Sequence, residues 1–346
     1  MTSGKGCVGW NCSMVPEEII YAAGLMPKRV LQIQLDDGRS SEYMPANFST
    51  LAKGCLDYIL VDKHELHGII LTPSCTSSEF VFDAVNNKND IDFSYMLDVP
   101  RIRTDEAVAF FSTQLRQLAN SLEEHFNVQI SQDKLRCAIE LFNSIRVQLD
   151  ILKQYLIKGK ITGSTFFNLA VMTASIDKQD ALSKLDGITA SLIHQEEVLY
   201  NEKKILLLGS PLQSNDLILE IEKQSGQIYH DDTCSAGTYL GAWVSTEGDL
   251  FYNLASAYLN SRLCSRMETK MDRINHVSSL IDKYNPDGVI YNLAKFRIPD
   301  CYDSVMLKEE LFNNRISPPF MVIENDNRGE INVAIQTKIE TFMELL

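Results

Sequence analysis

The sequence predicts an α/β protein built from two Rossmann-like parallel-sheet domains with an intervening helical region. Three observations carry this. Short apolar runs alternate with helical stretches up to about residue 105; long amphipathic helices fill the middle to about residue 200; and the strand–turn–helix rhythm resumes from there to the C-terminus. Strand, polar turn and helix is the repeating unit of a parallel sheet, whereas helices without strands pack as a layer of their own. The expected divisions are 1–105, 106–200 and 201–346.

In the first region, residues 15–23 read as a helix. Pro16 suits a first turn, and Glu17 and Glu18 are favourable beside the positive end of the helix dipole. Residues 31–35 and 68–71 read as strands. The second runs into Thr72-Pro73-Ser74-Cys75-Thr76-Ser77-Ser78 and then a helix over 79–85. Such a loop sits at the carboxyl end of a strand, where open α/β sheets place their ligands. In the middle region, apolar residues at helical spacing predict helices over 107–126, 131–156, 161–173 and 180–199. No catalytic motif falls there, which leaves scaffold and partner contact as its expected roles. In the third region, 204–208 reads as a buried strand ending at Gly209-Ser210-Pro211, followed by a helix over 217–224. A run over 226–229 leads to Asp231-Asp232-Thr233-Cys234, and a helix over 273–283 precedes a strand over 287–291. A late strand over 317–324 and a helix over 333–345 close the chain.

The 346 residues, 45% hydrophobic and 23% charged, have the composition of an ordinary globular protein. A net charge of −14 and a pI near 4.9 argue against nucleic acid, since a phosphate backbone would be repelled. The apolar runs fall far short of the roughly 20 residues a bilayer requires. The opening Met1-Thr2-Ser3-Gly4-Lys5-Gly6 lacks the apolar core of a signal peptide, so the expected compartment is the cytoplasm.

Eight cysteines, at 7, 12, 55, 75, 137, 234, 264 and 301, then become informative. A reducing compartment disfavours structural disulfides, leaving metal ligation or burial. No CxxC pair exists, which removes zinc ribbons and ferredoxin-type clusters, so any shared metal must draw its ligands from distant loops. Cys137, inside a helical pattern, reads as a small core residue. Three others differ by position. Cys12 immediately precedes a helix, Cys75 lies in a strand-to-helix loop, and Cys301 follows a strand and Pro299 where another helix begins. Helix N-termini stabilise a thiolate, the form that binds iron. On chemistry alone, buried thiols and shared ligation both remain open.

The segment Gly9-Trp10-Asn11-Cys12-Ser13-Met14-Val15-Pro16-Glu17-Glu18-Ile19-Ile20-Tyr21-Ala22-Ala23-Gly24 resembles the recurring motif of the 2-hydroxyacyl-CoA dehydratase/benzoyl-CoA reductase subunit family, of the 2-hydroxyglutaryl-CoA dehydratase D-component type. The likeness continues, collinear, through Met44-Pro45-Ala46-Asn47-Phe48, Lys53-Gly54-Cys55-Leu56-Asp57 and the apolar run ending at Ser74-Cys75. It runs on through Asp231-Asp232-Thr233-Cys234, Asp287-Gly288-Val289-Ile290-Tyr291, Lys295-Phe296 and Ile323-Glu324-Asn325-Asp326. The resemblance implies a subunit in which three cysteines from separate lobes hold one [4Fe–4S] cluster. It also implies a homologous second subunit in a heterodimer, or a homodimer, and an ATP-dependent activator delivering single electrons. The implied reaction is elimination of water from an (R)-2-hydroxyacyl-CoA through a ketyl radical.

Cys12 and Cys75 fall on the family's first two ligand positions. At the third, where the family carries Lys-Phe-Cys, this chain has Lys295-Phe296-Arg297, and Arg cannot ligate iron. Cys301, about one helical turn on, is the expected substitute. Ser49, where relatives often show Cys after Asn-Phe, is a second departure. Cys55, Cys234 and Cys264 also fall where relatives often carry Cys, and read as core or cleft-lining thiols. Rival functions are a benzoyl-CoA-reductase-like or double-cubane reductase component, and a cluster-free structural partner subunit.

Other candidates read as structure. His64 and His67 flank the start of a strand as surface or satisfied histidines. Asp231-Asp232 resembles a capping turn, and Glu17 and Glu18 first-turn charge. Gly209-Ser210-Pro211 hints at a phosphate or CoA contact, but no G-x-G-x-x-G or G-K-[ST] follows it, so ATP hydrolysis belongs to another protein.

Overall fold

The computed structural model describes residues 6–30, 39–61, 65–88, 91–193, 202–239, 241–261, 263–267, 270–313, 318–326 and 331–346. The strand expected over 31–35, His64 and the far end of the helix expected over 180–199 lie outside these.

The first sheet alternates strands and helices: β1 (Cys7–Trp10), α1 (Glu17–Ala22), β2 (Met26–Arg29), α2 (Thr50–Val61), β3 (Gly68–Leu71), α3 (Thr76–Lys88) and β4 (Phe93–Met96). Four helices follow, α4 (Asp105–Phe126), α5 (Gln132–Ile157), α6 (Gly163–Ser175) and α7 (Lys178–Leu192). The second sheet is built from β5 (Lys203–Gly209), α8 (Asp216–Lys223), β6 (Gly226–Asp231), α9 (Leu250–Ser261), α10 (Lys270–Tyr284), β7 (Gly288–Ala294), α11 (Ile298–Asn313), β8 (Phe320–Asn325) and α12 (Val333–Leu345).

All pairings are parallel, in the orders β2-β1-β3-β4 and β6-β5-β7-β8. The two sheets thus share one winding. In each, the chain steps outward from the first strand and then crosses back, leaving a switch point between β1 and β3 in one and between β5 and β7 in the other. Crevices at the carboxyl ends of strands flanking a switch point are where this architecture binds ligands.

Side chains alternate faces along a strand, and the core divides accordingly. Ile69 and Leu71 pack under α2 and α3, while Ile70 joins the main core. Leu206, Leu208, Val289 and Tyr291 pack against α10 and α11, while Ile205, Leu207 and Ile290 join the same main core as Ile70. That core runs through the helical layer, where α6 touches one edge strand of each sheet, β2 and β6. Helix starts follow their capping residues. Thr104, Ser131, Thr162, Asp177 and Asn332 each accept a hydrogen bond from a first-turn backbone N–H. Among the described residues, no helix is long and apolar enough to cross a membrane.

Candidate functional site

The carboxyl ends of both central strand pairs open into one cavity of about 80 Å³. Cys12 follows β1 and Cys75 follows β3, at the first sheet's switch point; Gly209 ends β5 and Arg297 follows β7, at the second's. Cys55 of α2, Cys234 from the loop after β6, and Cys264 from the turn between α9 and α10 complete a wall containing five of the eight thiols. A second, broader groove of about 610 Å³ adjoins it and shares Cys75 and Cys264.

Two of the three cysteines expected to act together therefore meet, and the third does not. Cys301 is exposed and borders neither cavity. The buried stripe of α11 runs through Asp300, Asp303, Ser304, Leu307 and Leu311, at i, i+3, i+4, i+7 spacing. One residue past Asp300 turns Cys301 about 100° off that stripe. Burial and the nearby carboxylates of Asp300 and Glu324 raise its thiol pKa.

The geometry at the strand ends is tightly built. Gly209 has φ +104°, and a Cβ there would overlap the Asn292 carbonyl oxygen. Only glycine takes that conformation without strain. Ser210 N–H donates to Asn292 O (2.8 Å), Asn292 Nδ2 donates back to Ser210 O (3.0 Å), and Ala294 N–H donates to Ser210 Oγ (2.9 Å), so the ends of β5 and β7 are pinned together. Phe296 sits at φ +63°, a conformation an aromatic residue adopts only under local constraint, and the turn it makes delivers Arg297 to the cavity. Arg297 Nε pairs with Asp300 Oδ2 at 2.8 Å, and Asp300 also accepts from the hydroxyls of Ser210 and Ser265. Burial works against the Arg297 charge. Asp300 and the nearby sulfurs of Cys75, Cys234 and Cys264 outweigh it and hold the guanidinium protonated.

A second charged group lines the same wall. Asp232 accepts from Arg273 Nη1 (2.7 Å) and meets His276 Nε2 at 2.8 Å; Arg273 also reaches Asp303 (3.4 Å), which accepts from Tyr291 OH (2.9 Å). Burial pushes the Asp232 carboxyl up, but Arg273 and His276 prevail and leave it at about 2. Asp231, its neighbour, instead makes the local turn expected of the pair, accepting from Thr233 N–H at 2.6 Å, and burial raises it to about 7. Arg29 lies beside the stacked rings of Trp10 and Tyr239, 5.0 and 5.7 Å from their centres, and donates to Ser235 O and Cys234 Sγ.

Glu17 and Glu18, read from the sequence as first-turn charge, are fully buried. Glu17 pairs with Lys178 (2.8 Å) and accepts from Tyr239 OH (2.5 Å); Glu18 pairs with Arg146 (2.5 Å) and accepts from Tyr258 OH (2.7 Å). They clamp α1, and with it the Cys12 turn, onto α5 and α7. His67 is exposed and its Nδ1 accepts from Cys7 N–H. Cys55 sits in the core under α2, where burial raises it to about 12.

Among the described residues, no three His, Cys, Asp or Glu side chains converge closely enough to hold a single metal ion. In an iron–sulfur cubane, by contrast, each thiolate binds a different iron, so its ligands ring a cavity rather than meet at a point. Cysteines spread over one wall suit that group. Asn11, beside Cys12 on the same wall, has its Oδ1 buried with no hydrogen-bond partner among the described residues.

Comparison with known proteins gives the family. Residues 12–346 match the family model described as 2-hydroxyglutaryl-CoA dehydratase, D-component. The chain is 22% identical to the (R)-phenyllactyl-CoA dehydratase beta subunit of Clostridium sporogenes, over 99% of this chain and 92% of that protein. It is 24% identical to the beta subunit of (R)-2-hydroxyglutaryl-CoA dehydratase from Acidaminococcus fermentans, over 99% and 93%. It is 21% identical to a subunit of benzoyl-CoA reductase from Thauera aromatica, over 87% and 81%. With its model matched from Cys12 to the last residue, the chain belongs to the 2-hydroxyglutaryl-CoA dehydratase D-component family.

Proposed function

We propose that this chain is one subunit of a cytoplasmic iron–sulfur dehydratase that eliminates water from an (R)-2-hydroxyacyl-CoA, with the cluster held in the cysteine-walled cavity. The observation that carries this is the convergence of Cys12 and Cys75, from the switch point of one sheet, with the switch point of the other. A cluster bound there supplies electrons one at a time.

The chain's own residues supply the rest. The clamps on Glu17 and Glu18 fix the Cys12 turn. Arg266, Arg273 and Arg297 place positive charge on a wall that also carries Asp232, Asp300 and Asp303 and the five thiols. His276, the one imidazole lining the cavity among the described residues, is oriented by the contact of its Nε2 with Asp232 and is partly open to solvent. The broad groove beside Cys75 and Cys264 carries Arg101 and Lys270 together with Phe296, Ile298 and Tyr302, a mixture suited to the phosphates and apolar arm of a CoA ester. The second subunit and an ATP-dependent activator complete the proposed enzyme.

The test is anaerobic assay of the full chain, co-produced with a homologous subunit and supplied with an activator and ATP. Formation of a 2-enoyl-CoA from an (R)-2-hydroxyacyl-CoA is the expected result. Reduction of benzoyl-CoA without dehydration would assign the reductase chemistry of the Thauera relative instead, and absence of iron from the purified chain would remove the cluster and leave a structural partner.

A further inference from the structure

We propose that Cys264, not Cys301, joins Cys12 and Cys75 as the third thiolate on the cluster, with Arg297 beside the set as a fixed counter-charge. This rests on the cavity holding a cluster, as argued above.

Arg297 stands where a thiol is expected, so the missing ligand has to come from another segment that reaches the same wall. Cys301 does not reach it, because the phase of α11 turns it outward. Three further thiols do. Cys55 is packed within the core of α2 and its neighbours. The Cys234 sulfur accepts from Arg29 across 3.7 Å, and it lines the inner cavity without reaching the outer groove. Cys264 also packs against the main core, and burial raises its thiol pKa, but it sits on the turn between α9 and α10 rather than inside a helix. Its sulfur lies within electrostatic reach of Cys12 and Cys234, and it shares with Cys75 alone the position between the closed cavity and the outer groove.

The segment bearing Cys264 is held from both sides. Arg266 donates to Val99 O (2.7 Å) and Pro100 O (3.3 Å), at the exit of the first sheet. Ser265 Oγ donates to Asp300, at the second sheet's switch point. Between these anchors the Cys264 sulfur is fixed at the junction of the two halves, and it accepts the Arg266 backbone N–H. N–H donors to a ligand sulfur are among the levers that tune iron–sulfur sites. Cys12, Cys75 and Cys264 then come from three separate segments, and Arg297 lies within electrostatic reach of Cys75 and Cys264. A [4Fe–4S] group with three thiolates is anionic in both of its usual oxidation states, so an adjacent guanidinium offsets charge in each.

The experiment uses the full chain, produced anaerobically with and without a homologous second subunit, and reads iron, acid-labile sulfide and visible absorption rather than turnover. Wild type is expected to carry about four irons per chain. Cys12→Ala and Cys264→Ala should each lose most of that iron, on the order of tenfold, whereas Cys301→Ala and Cys234→Ala keep it. Far-ultraviolet circular dichroism and a thermal melt against iron-stripped wild type check that each variant is folded, and Cys264→Ser gives a second variant of nearly unchanged size. Full iron in both folded Cys264 variants, or its loss in Cys301→Ala or Cys234→Ala, overturns the assignment while the cluster stands. A wild-type chain without iron under both conditions overturns the cluster, and the assignment with it.

Discussion

Replacing Lys178 by Met tests whether the buried ion pairs position the Cys12 turn. Lys178 is fully buried, donates to Thr173 O (2.6 Å), and is the only cation paired with Glu17 among the described residues. Burial raises the Glu17 carboxyl above its ordinary value near 4.5, while Lys178 and the Tyr239 hydroxyl hold it down. Met fills most of the vacated volume but removes the counter-charge, and a buried carboxylate without one takes up a proton. At pH 7, protonating a group of ordinary pKa 4.5 costs about 1.4 kcal/mol per pH unit, a ceiling of about 3.4 kcal/mol. Part of that cost is already present in wild type, so the expected loss is about 2–3 kcal/mol, at or just below the range for breaking a buried pair. The sign in pH follows from the raised value. Above pH 4.5 the folded state binds more protons than the unfolded chain, so stability falls as pH rises towards the folded pKa. Removing Lys178 raises that folded pKa further and extends the fall upward. The deficit of the variant therefore grows from near zero around pH 5 to its full size above pH 7. Urea denaturation at both pH values measures it, with the fluorescence of Trp10, stacked 5.9 Å from Tyr239, as a local probe. A deficit equal at pH 5 and pH 7, or larger at pH 5, refutes the reasoning.

Three further outcomes are expected. Gly209→Ala drives a Cβ into the Asn292 carbonyl at φ +104°, so a loss above about 3 kcal/mol or insoluble protein is expected; a melting temperature within a degree or so of wild type contradicts this. Asp232→Asn removes a carboxylate whose folded pKa, about 2, lies below its ordinary 3.8. That depressed value stabilises the fold above pH 3.8 and is lost as pH falls towards 2, so the variant should forfeit on the order of 2 kcal/mol at neutral pH and show a shallower acid limb in denaturation between pH 4 and 2. Arg297→Met removes a positive charge beside the thiols. For unit charges about 7 Å apart at an effective dielectric near 20, that is about 2.4 kcal/mol or roughly 100 mV, less what the Asp300 partner already offsets, so redox titration should find a lower midpoint potential and not a higher one.

Much of the fold was legible because the second sheet is buried on both faces. Its strands β5 and β7 carry the apolar runs Ile205-Leu206-Leu207-Leu208 and Val289-Ile290-Tyr291, which is how parallel strands read. The first sheet hid three of its four strands. β1 is four residues long and includes Gly9 and Cys7; β4, also four residues, carries a serine. β2 contains Pro27 followed by two basic residues, a composition that reads as loop, yet it lies at the sheet edge, where a missing N–H is tolerated. The buried clamps were hidden for another reason. Glu18 meets an arginine 128 positions away, and nothing local marks a carboxylate whose partner arrives through tertiary packing.

The site divides along the same line. Cys75 was legible because it follows a predicted strand, whose carboxyl end is fixed by topology before any side chain packs, and Cys12 because it precedes a helix within the opening motif, although the strand before it was hidden. Cys264 lies between two helices, where only the packing of α9 and α10 on the rest of the molecule decides where a turn points. Cys301 was the better candidate on linear distance alone, since four residues span about one helical turn. Linear distance leaves out the phase of the helix as a whole. Once Asp300 is drawn inward by Ser210, Ser265 and Arg297, and Leu307 and Leu311 are committed to the core beneath, the rotation of α11 is set and Cys301 faces outward. A hydrogen-bonded carboxylate and two leucines thus decide which thiol can reach the cavity, and Arg297→Cys is the substitution expected to return a ligand to that wall with no turn of the helix.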